Sequence, residues 1–288
     1  MIAHVAEAGE DRGRVVVRLG AYAPSNPAAL AAAVHVASAF QSEIEGLFIE
    51  DPLVFSAAAR PYVRALSLSG EQRSDLSAQS LEFDTGHFTV AVQRELAALA
   101  KAHRVEFSAR VVRDDVIGAL ATACAERGPW NIIVFAESIL DDHRAGLVGD
   151  TATHVLGTTG LVAAGRSAVW HNGPIVIALE ESDRLSGMVR AAQRLAAVAG
   201  DTILIQPVAD DEIAFDWLEG EIRLMLGDNP GVKVGTRPHH FGSSAVWLAT
   251  LAAHRPRIIL ARHGGMIMPA GAIREPLAGL GCPVFLVH

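Results

Sequence analysis

The chain has 288 residues, 50% of them hydrophobic and 19% charged, with a formal net charge of −8. That composition supplies enough apolar surface for a packed core, which excludes a disordered chain, and its acidic balance excludes a general nucleic-acid binder. The mean hydropathy of +0.28 is lifted by alanine, and the longest apolar runs, 28–34 and 246–253, fall short of the roughly 20 residues a membrane span needs. No signal-peptide pattern opens the sequence, and the two cysteines, Cys124 and Cys282, lie far apart in apolar segments. A soluble cytoplasmic protein with buried, reduced thiols is expected, without a membrane span, a nucleic-acid partner or a structural zinc site.

In chain order, residues 1–12 show no pattern and read as a loose tail. A β-branched run at 15–19 (VVVRL) predicts a strand. Ser25 and Asn26 can cap the alanine-rich helix that follows over 28–40, with Pro27 in its first turn, where a missing N–H costs nothing. A strand at 43–49 completes a β-α-β unit. Residues 51–102 read as an insertion, helical over 77–102. A strand at 105–112, a helix at 116–127 and a strand at 131–135 (NIIVF) come next, and the last strand of this half is expected near 165–170.

The same grammar resumes after the breaker Asn172-Gly173-Pro174. A strand at 175–179, a helix at 184–199 and a strand at 202–206 are followed by a helix at 212–226 and a strand at 232–236. The half closes with a helix at 243–254, a strand at 257–261 and a final strand at 283–287. The chain thus reads as α/β, two tandem units at 13–170 and 173–288, each a five-stranded, mostly parallel sheet flanked by helices.

This double pattern resembles the universal stress protein family in its two-domain form, most closely in the final run from Gly281-Cys282-Pro283-Val284. The resemblance implies Rossmann-like domains paired through their last strands, a non-catalytic role in stress response or regulation, and ATP or another adenine nucleotide as ligand. Nucleotide-binding members carry an Asp after the first strand and G-x2-G-x9-G-[S/T] after the fourth. The glycines let backbone N–H groups close on phosphate. Here Glu180 stands nearest to the Asp position of the second half, and Arg262, His263, Gly264, Gly265 and Gly271 to its phosphate loop. The first half offers Gly149 and Thr151, separated by Asp150, which can also cap the helix holding His154. Both halves lack the Asp and much of the glycine pattern. A scaffold acting on protein partners, or as a homodimer, is therefore the alternative to a nucleotide-binding regulator. A nucleotide hydrolase would require ordered acids and a metal.

Other candidates read more plainly. Asp114-Asp115 and Asp141-Asp142 flank predicted helices and suit solvated caps. Ser243-Ser244 lacks a nucleophile elbow and fits a cap for the helix carrying Trp247. His35 reads as a structural residue within its helix, and His239-His240 as loop residues. No sequence pattern gathers a set of metal ligands around them.

Overall fold

The computed structural model describes residues 13–20, 24–60, 63–66, 73–75, 77–128, 130–227, 229, 231–238, 241 and 243–287. The expected tail over 1–12 and the His239-His240 pair lie outside them. The first half runs β1 (Val15–Gly20), α1 (Pro27–Phe40), β2 (Ile44–Glu50), α2 (Pro52–Ala58), β3 (Arg64–Leu66), β4 (Arg73–Asp75) and α3 (Ala78–Ala102). It continues with β5 (Phe107–Arg113), α4 (Val116–Ala125), β6 (Asn131–Phe135), α5 (Asp142–His154) and β7 (Thr158–Ala163). The second half runs β8 (Ile175–Leu179), α6 (Leu185–Ala199), β9 (Ile203–Pro207), α7 (Glu212–Leu226) and β10 (Val232–Val234). It ends with α8 (Ser244–Ala253), β11 (Ile258–Arg262), α9 (Arg274–Leu280) and β12 (Val284–Val287).

Local chemistry places the helix starts. The Asn26 side chain accepts the Ala28 N–H at 2.9 Å, and Pro27 occupies the first helical position of α1. Asp115, Asp141 and Asp211 cap α4, α5 and α7 in the same way, through the N–H groups of Gly118, Arg144 and Ala214. The expected acidic clusters are thus caps. Asp150 is not one: it lies inside α5, which Asp141 begins.

The two expected five-stranded sheets are fused into one. Its order is β10-β9-β8-β11-β12-β7-β6-β1-β2-β5, and it is parallel except where β12 meets β7. There Val284 faces Ala163 and Leu286 faces Leu161. On either side of this seam the order repeats in mirror sense, so the two halves are related as a pair joined through their last strands. Alternation along each strand sends side chains to two cores, as a sheet covered on both faces requires. Val15, Val17 and Leu19 belong to the core that also takes in residues of α1, α3 and α6, and Val16 belongs to the core that takes in residues of α4, α5, α8 and α9. α1 and α6 meet across the seam. His35 is buried there, its Nε2 2.8 Å from the Leu195 carbonyl and its ring edge-on to Trp170.

One strand differs from expectation. The last strand of the first half is β7, not 165–170. Gly165 lies so close to the Leu277–Ala278 backbone that a Cβ would collide with it, and the Val169 N–H donates to Gly281 at 2.9 Å. That segment is bound to the end of α9, which leaves the run at 158–163 to complete the sheet. The expected insertion resolves into α2, the β3–β4 hairpin and α3. α2 meets α3 through the small cluster of Phe55, Ala58 and Leu81.

Candidate functional site

Ligands of doubly wound sheets gather beyond the carboxyl ends of the strands, where strand order reverses. In this chain those points lie after β8, between β9 and β11, and after β1, between β2 and β6.

In the second half, β8 ends at Leu179 and hands the chain to Glu180. The Glu180 carboxylate reaches across to the loop after β11, where it accepts the N–H groups of Met266 at 2.7 Å and Ile267 at 3.0 Å. Gly265 lies directly beneath it, and a Cβ at that position would strike both carboxylate oxygens. Gly264, at φ 80°, makes the turn and donates its N–H to Met268 at 2.8 Å. Two successive backbone N–H groups converging on an anion form the kind of nest that holds phosphate. The anion in this nest is the protein's own carboxylate.

Around it lies an open cavity of about 420 Å³, lined among others by Glu180, Glu181, Asp210, Trp217, Arg262 and Gly264. Three carboxylates face one guanidinium, and Arg262 is already paired with Glu181. The field inside the cavity is therefore negative, which opposes a polyphosphate.

Of the residues singled out in the sequence, Glu180, Arg262, Gly264 and Gly265 come together. His263 donates its backbone N–H to Val287 at 3.1 Å and so ties the end of β11 to β12. Gly271 is exposed farther along the loop, with no atom near the position of a Cβ. Gly149 and Thr151 do not open a helix, as the family pattern requires of the last glycine and hydroxyl. They lie in the later turns of α5, where no backbone N–H is free for an anion. The buried Thr151 hydroxyl donates to the Leu147 carbonyl at 2.7 Å, and Gly149 faces the Ala270 carbonyl. Gly149 thus packs against the loop after β11, and Thr151 is held within α5 itself.

The first half has a counterpart that the sequence analysis did not single out. Glu137, two residues beyond β6, is buried, and its carboxylate accepts the Gly20 N–H and pairs with the Arg18 guanidinium at 2.5 Å. The corner is stitched further. The Asn26 amide donates to Ser138 Oγ at 2.9 Å and to the Gly165 carbonyl at 3.0 Å, and the Asn26 N–H donates to Ala136. Nothing local marks Glu137, which stands at a variable position of the 136–139 loop that replaces the family's G-x2-G.

Among the described residues, no group of three or more His, Cys, Asp or Glu side chains could hold a metal ion, and no helix is long and apolar enough to cross a membrane. Cys124 and Cys282 are buried and unpaired, and burial pushes the Cys282 thiol up to about 12.

No family profile matches the sequence, and no curated protein matches it either. Solved structures do match. A functionally unknown protein from Pseudomonas aeruginosa aligns over 96% of this chain and 92% of its own, at 13% identity and a TM-score of 0.55. A universal stress protein from Archaeoglobus fulgidus aligns over 94% and 95%, at 13% identity and a TM-score of 0.56. The cytoplasmic domain of a prokaryotic cation chloride cotransporter aligns over 96% and 95%, at 8% identity and a TM-score of 0.55. Along nearly its whole length, the chain has the universal stress protein fold.

Proposed function

We propose that the chain is a non-catalytic regulatory protein of the universal stress type, built of two units at 13–170 and 173–288, that acts in the cytoplasm through its protein surfaces. The observation that carries this reading is the Glu180 carboxylate on the N–H groups of Met266 and Ile267. An anion tethered to the fold competes with any free phosphate for the same two donors, and it does so at high effective concentration. The acidic lining of the cavity works in the same direction. The same fold occurs in one neighbour as the cytoplasmic domain of a prokaryotic cation chloride cotransporter.

A second reading keeps an adenine nucleotide in the second half. It is favoured by the open cavity beside Arg262, with Trp217 on its wall, and it requires Glu180 to leave the nest. Thermal unfolding with ATP, ADP and AMP, with and without Mg²⁺, separates the two. A ligand of the folded state adds RT ln(1 + [L]/Kd), about 2.7 kcal/mol at a hundredfold excess over Kd. The surface-acting reading expects no shift at millimolar nucleotide. A saturable rise would overturn it in favour of the second reading, and turnover of ATP in the same samples would restore the enzyme reading.

A further inference from the structure

α7 is apolar on two sides. Phe215, Leu218 and Ile222 are buried in the core, as an amphipathic helix requires. On the opposite side, Ile213, Trp217 and Leu224 are 82%, 60% and 80% exposed. Scattered exposed hydrophobes are ordinary, but these lie on one line of one helix. Ile213, Trp217, Gly220 and Leu224 follow each other at steps of four, three and four residues, the spacing of a coiled-coil seam. Gly220 leaves an open notch in that seam, with no atom near the position of a Cβ.

We propose that α7 is the contact helix of a homodimer and pairs antiparallel with α7 of a second copy. A register centred between Trp217 and Gly220 brings each indole into the notch at the partner's Gly220 and sets Ile213 against the partner's Leu224. Charge fits the same register. On one flank Asp216 meets the partner's Arg223, and the twofold axis repeats the pair. On the other flank Ala214 meets the partner's Glu221, a pair without like charges. Within one chain Asp216 already holds Arg237 and Arg223 holds Glu219, so both groups stand at the surface. Antiparallel helices also set opposite dipole ends together. The reading rests on the surface-acting function above and names the partner of that surface. A helix of this length spans about 22 Å, so the contact is of the small, reversible class and the dimer forms in the micromolar range.

Sedimentation of the full chain from about 1 to about 300 μM tests this. The mass should rise from 30.4 kDa toward twice that value. Trp217→Glu and Gly220→Glu should each hold the chain at the lower mass throughout. The register is tested by charge exchange. Asp216→Arg alone and Arg223→Asp alone should each weaken association at least tenfold, and the double variant should recover it. All four positions are exposed, and far-UV circular dichroism with the melting temperature verifies the fold of each variant. A single-chain mass across the whole range overturns the proposal. So does a dimer indifferent to Trp217→Glu, or charge variants that fail to compensate. Nucleotide binding is read separately, so a positive nucleotide titration with an intact dimer would sink the earlier reading and leave this one standing.

Discussion

The two sheet corners answer the same geometric problem with opposite parts. In the first half the carboxylate comes from the loop after β6 and is received at the end of β1, by Gly20 and Arg18. In the second it comes from the end of β8 and is received by the loop after β11, at Met266 and Ile267. Each corner therefore holds an anion belonging to the chain, but only the first is sealed. Glu137 is buried, and Asn26 ties three segments over it, whereas Glu180 borders an open cavity. A fold with ligand crevices at these points can thus fill them from either lip, and the depth of burial decides whether the filling is structural or exchangeable.

That contrast is open to measurement. The largest effect should follow Glu137→Ala, which leaves the Arg18 guanidinium without its partner in a site where its side chain is only 14% exposed. Breaking a buried pair from one side costs about 3 kcal/mol or more, read as a drop in the urea unfolding free energy. Glu180→Ala should cost less, about 1–2 kcal/mol, because the freed N–H groups of Met266 and Ile267 can take water from the adjoining cavity. Reversed costs would break the comparison. The same two variants sharpen it through binding. Inorganic phosphate at millimolar concentration should raise the melting temperature of Glu180→Ala and leave that of Glu137→Ala and the parent chain unchanged, since only the second nest opens onto a cavity.

The smallest effect lies between the halves. Burial holds His35 below its ordinary 6.5, so the folded chain keeps it neutral against Leu195 while the unfolded chain takes up a proton. Its contribution is present above the unfolded value and is lost as pH falls through about 6.5, by at most about 1.4 kcal/mol per pH unit. Urea midpoints of the parent and His35→Gln, compared from pH 8 to pH 5, should converge as pH falls. Parallel curves would remove His35 from the pH dependence.

Much of the fold was legible in the chain. The runs at 15–19, 131–135 and 175–179 are strands within a residue of their expected limits, and Asn26 with Pro27 marks the start of α1. These are local signals: β-branched runs suited to a doubly covered sheet, and side chains that satisfy their own helix ends. The last strand of the first half was misplaced because Thr158–Ala163 and the segment after it are both short and apolar, and only the pairing with β6 and β12 distinguishes them. Gly149 and Thr151 matched a spacing, but α5 had already begun at its Asp141 cap.

The candidate site divides in the same way. Glu180, Arg262, Gly264 and Gly265 stood out because a glycine turn and charged groups after buried strands leave a mark in sequence. Glu137 did not, since nothing local distinguishes an acid that will be buried against Gly20 from one that will face water.

By itself, then, the sequence determined the repeated α/β grammar, the helix caps and the second half's glycine loop, all of which depend on neighbours within a few residues. Only the tertiary structure decided that the halves share one sheet through β7 and β12, and that the anion resting on each corner is a glutamate of the chain. Both are contacts between segments far apart in sequence, Glu137 with Gly20 and Glu180 with Met266. They are fixed by which surfaces the packed sheet brings face to face, and no run of adjacent residues encodes that choice.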